Sequence, residues 1–372
     1  MAPDVVIVGG GIVGCACALA LAQKGCRVTL LEAEGWGHGA TGAAMGHLVI
    51  LDGSPEELAL CRLGQERWKE LAPGLGTPLE MDVCGTLWVA ADDEEMELVR
   101  PRCEAYRAAG IQAELLDAAA LRELEPCLAS NLAGGMLVPG DAVIYPPAGA
   151  RLLAEAAAFA GADLQRGHRV VGLERGGLRL EDGTRLPSGC VVLAAGSDST
   201  RLLPDLPLVK RKGHLAITDR RPGFLKHQLV ELGYLKSAHA SQEDSVAFNL
   251  QPRPNGQLLL GSSRQFGDES PDLRPQLFQR MIHRALSYVP GLAEVPVLRT
   301  WTGFRPTTPD HRPLIGPWPH HRGVLLACGH EGLGITTAPA TAELVVAQVL
   351  GLEPPLDPTP YLPSRFAEAT HA

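Results

Sequence analysis

The chain opens on an unbroken β-branched run, Val5-Val6-Ile7-Val8, the pattern of a strand buried on both faces. Gly9-Gly10-Gly11 ends it. Small and apolar residues from Ile12 to about Gln23 then predict a helix, closed by Gly25 in the C-terminal capping position. Arg27-Val28-Thr29-Leu30-Leu31 reads as a second strand, ending at Glu32. So compact a strand–helix–strand unit predicts a right-handed parallel crossover.

The same rhythm returns farther along. An alanine-rich helix is expected from Ala148 to Ala160, just after Pro146-Pro147. His168 to Glu174 and Gly177 to Leu180 read as strands, with Asp182-Gly183 as a turn. Cys190 to Ala195 is a buried strand running into Gly196, and Gly323 to Ala327 is another, followed by a helix from about Ile335 to Leu350. Two segments differ in character. Residues 76–144 hold helical stretches and a strand around Thr86 to Ala90. Residues 214–304 alternate, with strands at Leu215 to Thr218, Ser245 to Leu250, Gln257 to Gly261 and Val297 to Phe304, and a helix near 275–288. The expectation is an α/β protein with a discontinuous parallel-sheet domain (1–75, 145–213 and 320–372). Insertions at 76–144 and 214–319 should pack together as an antiparallel second domain.

Composition narrows the function. With 33 Lys plus Arg against 42 Asp plus Glu the net charge is −9, and the densest basic run, Lys210-Arg211-Lys212, is short and expected in a loop. Nucleic acid is a poor partner for such a chain. The nine cysteines are scattered without a CxxC pair, so they read as small buried hydrophobes in a reducing compartment, with no metal site. No cleavable signal pattern is evident, and Ile12 to Ala22 is too short to span a bilayer, so a cytoplasmic protein is expected.

The candidate chemistry begins at Gly9, Gly11 and Gly14, a G-x-G-x-x-G between strand and helix. The first glycine allows the turn, the second the approach of a pyrophosphate, the third close helix–strand packing. The helix start, with Ile12 and Val13, offers amide donors to the anion. Glu32, followed by Ala33, ends the second strand where a carboxylate accepts from ribose hydroxyls and repels a ribose phosphate. A dinucleotide other than NADP is indicated.

Three further stretches identify a family. Gly37 to His47 is a small-residue loop containing Thr41, Ala43, Ala44, Met45 and Gly46. Trp301-Thr302-Gly303-Phe304-Arg305-Pro306-Thr307-Thr308-Pro309-Asp310 is followed by Pro313-Leu314-Ile315-Gly316. Gly329-His330-Glu331-Gly332-Leu333-Gly334-Ile335-Thr336 opens the last helix. Together, and with Val170 and Ala194-Ala195-Gly196 in order, they resemble the D-amino acid oxidase family of FAD-dependent oxidoreductases, over the whole chain. The resemblance implies a Rossmann-like FAD domain and oxidation of the Cα–N bond of an amino or imino acid to an imine.

The resemblance also implies roles. Arg305 would hold the substrate carboxylate through its guanidinium fork. Gly332, Leu333, Gly334, Ile335 and Thr336 would set a helix N-terminus against the negative charge of reduced flavin. His47 and His330 are candidates for flavin or substrate contact, and Tyr234 and Asn249 for substrate binding from the insertions. Glycine oxidases tend to carry a tyrosine about where Asn249 stands. A cysteine that tethers the flavin in monomeric sarcosine oxidases would fall at about Gly303, so the FAD is expected to be noncovalent. The motifs around His47 and His330 look most like D-hydroxyproline dehydrogenase and cyanide-synthase members, implying a D-amino acid, D-proline or D-hydroxyproline dehydrogenase. A glycine or sarcosine-type oxidase making peroxide, and a FAD-binding subunit of a hetero-oligomer, are the rivals. Such dehydrogenases pass electrons to a partner protein or quinone, which leaves membrane association and homo- or hetero-oligomerisation open.

Overall fold

The computed structural model describes residues 3–50, 53–233 and 244–366. The chain divides into two compact units, Met1–Leu79 with Tyr145–Lys210 and Phe304–Ala372, and Glu80–Ile144 with Arg211–Gly303.

The first unit is built on a six-stranded sheet. In spatial order its strands are Leu314–Pro317, Val324–Cys328, Cys190–Leu193, Val5–Val8, Val28–Glu32 and Asp163–Arg166. All neighbours are parallel except Leu314–Pro317, which runs antiparallel to Val324–Cys328. Val5–Val8 sits inside the sheet with every side chain buried, as its apolar run predicts. The helix Ile12–Gln23 packs against Gly334–Leu350 and Pro146–Phe159. Its alanines (Ala16, Ala18, Ala22) are buried and short enough to let the three helices come close.

The second unit is an eight-stranded sheet. Its spatial order is Val297–Thr307, Val209–Thr218, Leu258–Arg264, Ser245–Pro252, Gln228–Glu231, Thr86–Ala90, Gly134–Val138 and Glu114–Asp117. The helix Pro275–Tyr288 packs on one face, where Leu87, Val89, Leu229, Phe248, Leu250 and Leu260 join Met281, Ala285 and Tyr288 in one apolar cluster.

Three expectations need correction. The sheet is mixed, because Gln228–Glu231 lies parallel to Thr86–Ala90 where the two insertions meet. The basic run is not a loop: Lys210, Arg211 and Lys212 lie in the strand Val209–Thr218. The Lys212 side chain is 1% exposed and its Nζ donates to Asp268 Oδ2 at 3.0 Å and to the Asp272 carbonyl at 2.6 Å, so a buried cation is matched rather than solvated. Finally, residues 304–319 belong to the first unit, not the second. The strand Leu314–Pro317 supplies the edge of the parallel sheet, which draws this segment, with Arg305, into that unit.

Candidate functional site

The glycine motif has the geometry its spacing predicts. Gly9 adopts φ 111°, in the left-handed region, and any Cβ there would stand 2.6 Å from the Ala194 carbonyl oxygen. A Cβ on Gly14 would lie 1.9 Å from the Gly9 carbonyl oxygen, a distance no side chain tolerates. The expected Ala195 and Gly196 follow directly on this contact, at the end of Cys190–Leu193. The helix Ile12–Gln23 begins with no acidic residue in its first turn and no side-chain cap from Gly11. No acidic side chain of its own first turn offsets its electropositive end.

Glu32 and Thr41 frame this loop. The Glu32 carboxylate accepts from the Gly10 amide and the Glu34 amide, each at 2.6 Å. It thus orders the glycine loop as well as standing where a ribose is expected. Thr41, in the short helix Gly39–Ala43, is buried, and its Oγ1 accepts from the Ile12 amide at 3.1 Å. Ala33, Ala43, Ala44, Met45 and Gly46 continue the same border, with Met45 buried. Val170 begins the strand Val170–Glu174 in a separate three-stranded sheet of this unit.

The start of the last helix, Gly334–Leu350, is tied to His47. The Thr336 hydroxyl donates to the His47 carbonyl at 3.1 Å and accepts from the Val49 amide at 3.2 Å. Like the first helix, this one opens with no acidic residue and no side-chain cap. A long helix that the sequence reading missed, Pro55–Leu75, clamps both segments. Gln65 Nε2 donates to the Leu48 carbonyl at 3.0 Å, and Trp68 Nε1 to the Ile335 carbonyl at 2.8 Å. A Cβ on Gly64 would meet the Thr336 carbonyl oxygen at 2.2 Å, so glycine permits the approach. The signal was present: Ser54 caps this helix by accepting from the Glu57 amide, with Pro55 at its first position.

Arg305 lies near the end of the strand Val297–Thr307 and is half-buried. That end is held to the loop before the last helix by a bridge between Thr307 and His330 and by the Glu331 amide donating to the Pro306 carbonyl at 2.9 Å. Gly332 is its neighbour, since a Cβ there would stand 4.0 Å from Arg305 Nε. Asp310 is engaged elsewhere, by Arg365 at 2.7 Å and Arg312 at 3.3 Å. Glu331 takes φ 50° and His311 φ 61°, uncommon for residues with side chains, and the two pair at 3.1 Å.

The two candidate histidines differ. His330 is buried, with Nε2 3.0 Å from Thr341 Oγ1 on the last helix, so its ring points into the scaffold. The His47 Nε2 is buried with no hydrogen-bond partner among the described residues. Burial pulls both imidazoles down to about 4, which keeps them neutral at physiological pH. Cys328, close to His330 in sequence, is buried and its thiol is pushed up to about 12 by burial, which makes it unreactive.

In the second unit Asn249 is buried, and its Nδ2 reaches Ser262 Oγ at 3.4 Å. Tyr234 lies outside the described residues. Among the described residues no group of three or more His, Cys, Asp or Glu could hold a metal, and no helix is long and apolar enough to cross a membrane.

A glycine cradle with no room for a Cβ at Gly9 or Gly14, a carboxylate at the second strand and two helix starts without acidic residues in one unit fit FAD. Gly9, Gly11, Gly14, Glu32 and Thr41 would hold its nucleotide half, and residues 332–336 its ring. Fold and site together define a FAD-dependent oxidoreductase.

The sequence matches the family of FAD dependent oxidoreductases designated DAO over residues 4–348, and the chain belongs to that family. It is 30% identical to a glycine oxidase of Pseudomonas aeruginosa, covering 98% of this chain and 99% of that protein. The crystal structure of glycine oxidase from Geobacillus kaustophilus superposes with a TM-score of 0.88 at 28% identity, over 98% of both chains. The structure of L-proline dehydrogenase from P. horikoshii gives the same TM-score at 23% identity, covering 99% of this chain and 98% of that one, a likeness of fold alone.

Proposed function

We propose that the protein oxidises the Cα–N bond of a small amino or imino acid to an imine, with Arg305 binding the substrate carboxylate. FAD supplies two-electron acceptor chemistry when bound. The observation that carries this reading is Arg305 itself. A half-buried guanidinium lies beside Gly332, at the mouth of the last helix. Its fork matches a carboxylate bidentately. The helix start, uncapped and free of acidic residues, favours negative charge developing nearby.

The two histidines take unequal parts in this account. His47, neutral and with an unpartnered Nε2, is suited to contact flavin or substrate, whereas His330 positions the loop that carries Gly332. The second unit is taken as the substrate-binding domain, with Asn249 among its candidates. Gly303 stands where a tethering cysteine would be needed, so the FAD is noncovalent in this reading.

The full-length likeness to proteins named glycine oxidase favours a small substrate and oxygen as acceptor. Asn249, in place of a tyrosine, favours a second reading: a D-proline or D-hydroxyproline dehydrogenase passing electrons to a partner protein or quinone. Anaerobic mixing of the yellow holoprotein with a panel of D-, L- and imino acids tests both. Bleaching by at least one acid is expected, and bleaching by none overturns the assignment. Repetition in air separates the two, since stoichiometric peroxide marks the oxidase.

A further inference from the structure

The last helix, Gly334–Leu350, carries Pro339 in its second turn. An α-helix bonds each backbone amide to the carbonyl four residues earlier, and proline has no amide hydrogen to give. The carbonyl this leaves over is that of Ile335, within the stretch 332–336 assigned above to the flavin ring. Ile335 is buried, so bulk water is not at hand to replace the missing donor. Buried carbonyls in native proteins are paired, and this one needs a partner from outside its own helix.

Trp68 supplies it. The indole, fully buried on the helix Pro55–Leu75, donates from Nε1 to the Ile335 carbonyl at 2.8 Å. Gly64 lies one turn earlier on the same face and brings the two helices together, since a Cβ there would stand 2.2 Å from the Thr336 carbonyl oxygen. Gln65 holds the neighbouring strand through the Leu48 carbonyl, and the Thr336 hydroxyl ties that strand back to the helix at His47 and Val49. Trp68 thus does more than fill space. A phenylalanine would occupy most of the same volume and donate nothing.

We propose that Trp68 is a positioning residue for the flavin: its indole N–H replaces the amide that Pro339 lacks, and so holds the opening of the last helix in the orientation that stabilises reduced FAD. The proposal rests on residues 332–336 facing the ring. Trp68 acts through the Ile335 carbonyl. Without the indole donor that buried oxygen is unpaired, and the first turn shifts to find another partner. The electropositive end of this helix is what favours negative charge on the reduced ring, so the shift weakens binding of reduced FAD more than of oxidised FAD. Pro339→Ala returns the missing amide and makes the indole N–H dispensable.

The test is a double-mutant cycle on the holoprotein, read by melting temperature and by the flavin midpoint potential from dithionite titration against a reference dye. The potential needs no substrate, so failure of the amino-acid reading leaves this result legible. Trp68→Phe should weaken reduced relative to oxidised FAD by about tenfold, a negative shift of about 30 mV, and should lower the melting temperature. Pro339→Ala should keep that ratio within about threefold of the parent, and Trp68→Phe added to it should change the ratio by less than about threefold again. If Trp68→Phe alone does not fold, a folded double variant with the parent's potential supports the proposal. No folded protein from either variant overturns it, Trp68 then being core packing. So does a double variant as impaired as Trp68→Phe. Coupling in melting temperature with the potential unmoved also overturns it, and removes residues 332–336 from the ring while leaving the Trp68–Pro339 relation intact.

Discussion

The two sheets solve opposite problems. In the first unit the strands Val5–Val8 and Cys190–Leu193 are apolar on both faces, and the polar chemistry is confined to loops at their ends, at Gly9, Glu32 and Ala195. In the second unit polar side chains lie within the strands, and Thr86, Gln228 and Gln251 form a buried row on one sheet face. The first arrangement grips a ligand with backbone amides and helix ends, which tolerates little change in the glycines. The second sets polar side chains on a strand ladder, where they can be exchanged without disturbing the ladder beneath. Cofactor retention and substrate choice should therefore respond to different substitutions.

The largest expected effect on cofactor retention is at the third motif glycine. Gly14→Ala puts a methyl group against the Gly9 carbonyl oxygen, and backbone must move to relieve it. The purified variant should hold less than about a tenth of the parent's FAD, a loss of at least ~1.4 kcal/mol of binding, by absorbance at the flavin band. Gln251→Met should retain full FAD under the same assay. If both lose flavin alike, the division of labour between the units is wrong.

Glu32→Ala comes next. The carboxylate holds the Gly10 and Glu34 amides, so its removal disorders the loop as well as taking a ribose contact. FAD affinity should fall by roughly 10- to 100-fold, the scale of losing charge-assisted hydrogen bonds. The apoprotein should also melt at a lower temperature, which separates this account from one in which Glu32 touches only ribose.

Acid sensitivity sharpens the contrast further. His47 and His330 fold with pKa values lowered to about 4 from the ordinary 6.5. The unfolded chain binds their protons first, so the stability tied to the neutral rings is complete above pH 6.5 and lost as pH falls towards 4. Each contributes on the order of 3 kcal/mol across that window. His330→Gln should flatten the dependence of melting temperature on pH between 6.5 and 4 while leaving most activity at neutral pH. An unchanged slope removes His330 from the buried set.

The smallest effect is expected at Thr41. Its hydroxyl accepts one amide at the first helix, and Thr41→Val should cost about 1 kcal/mol, the usual value of a lost helix cap, read as a shift in denaturation midpoint.

How much of this the sequence discloses follows from the same contrast. Gly9, Gly11, Gly14 and Glu32 are legible because a turn, a helix start and a strand end are local events whose residues lie close along the chain. The helix at 275–288 was equally plain. The row Thr86–Gln228–Gln251 was hidden, because it exists only through register between strands far apart in sequence. Lys210 to Lys212 read as a loop because three cations suggest water, and the partners that bury Lys212, Asp268 and Asp272, are distant. Arg305 stands out in the sequence by its motif, but its segment was expected in the insertion domain, whereas the compact units divide at Phe304. Its strand is continuous with the second unit, and only the pairing of Leu314–Pro317 with Val324–Cys328 draws the following segment into the first.

The central claim is that Arg305 reads a carboxylate. The direct measurement is the rate of anaerobic flavin reduction in wild type and Arg305→Leu, for the best acid substrate and for its neutral amide. Losing a buried bidentate partner costs roughly 2–5 kcal/mol, on the order of 30- to 3,000-fold in kcat/KM. The account predicts a loss of that size for the acid, a loss below about threefold for the amide, and partial rescue of the acid by Arg305→Lys. Equal losses for acid and amide would contradict it, placing Arg305 in the scaffold of the Gly332 loop instead.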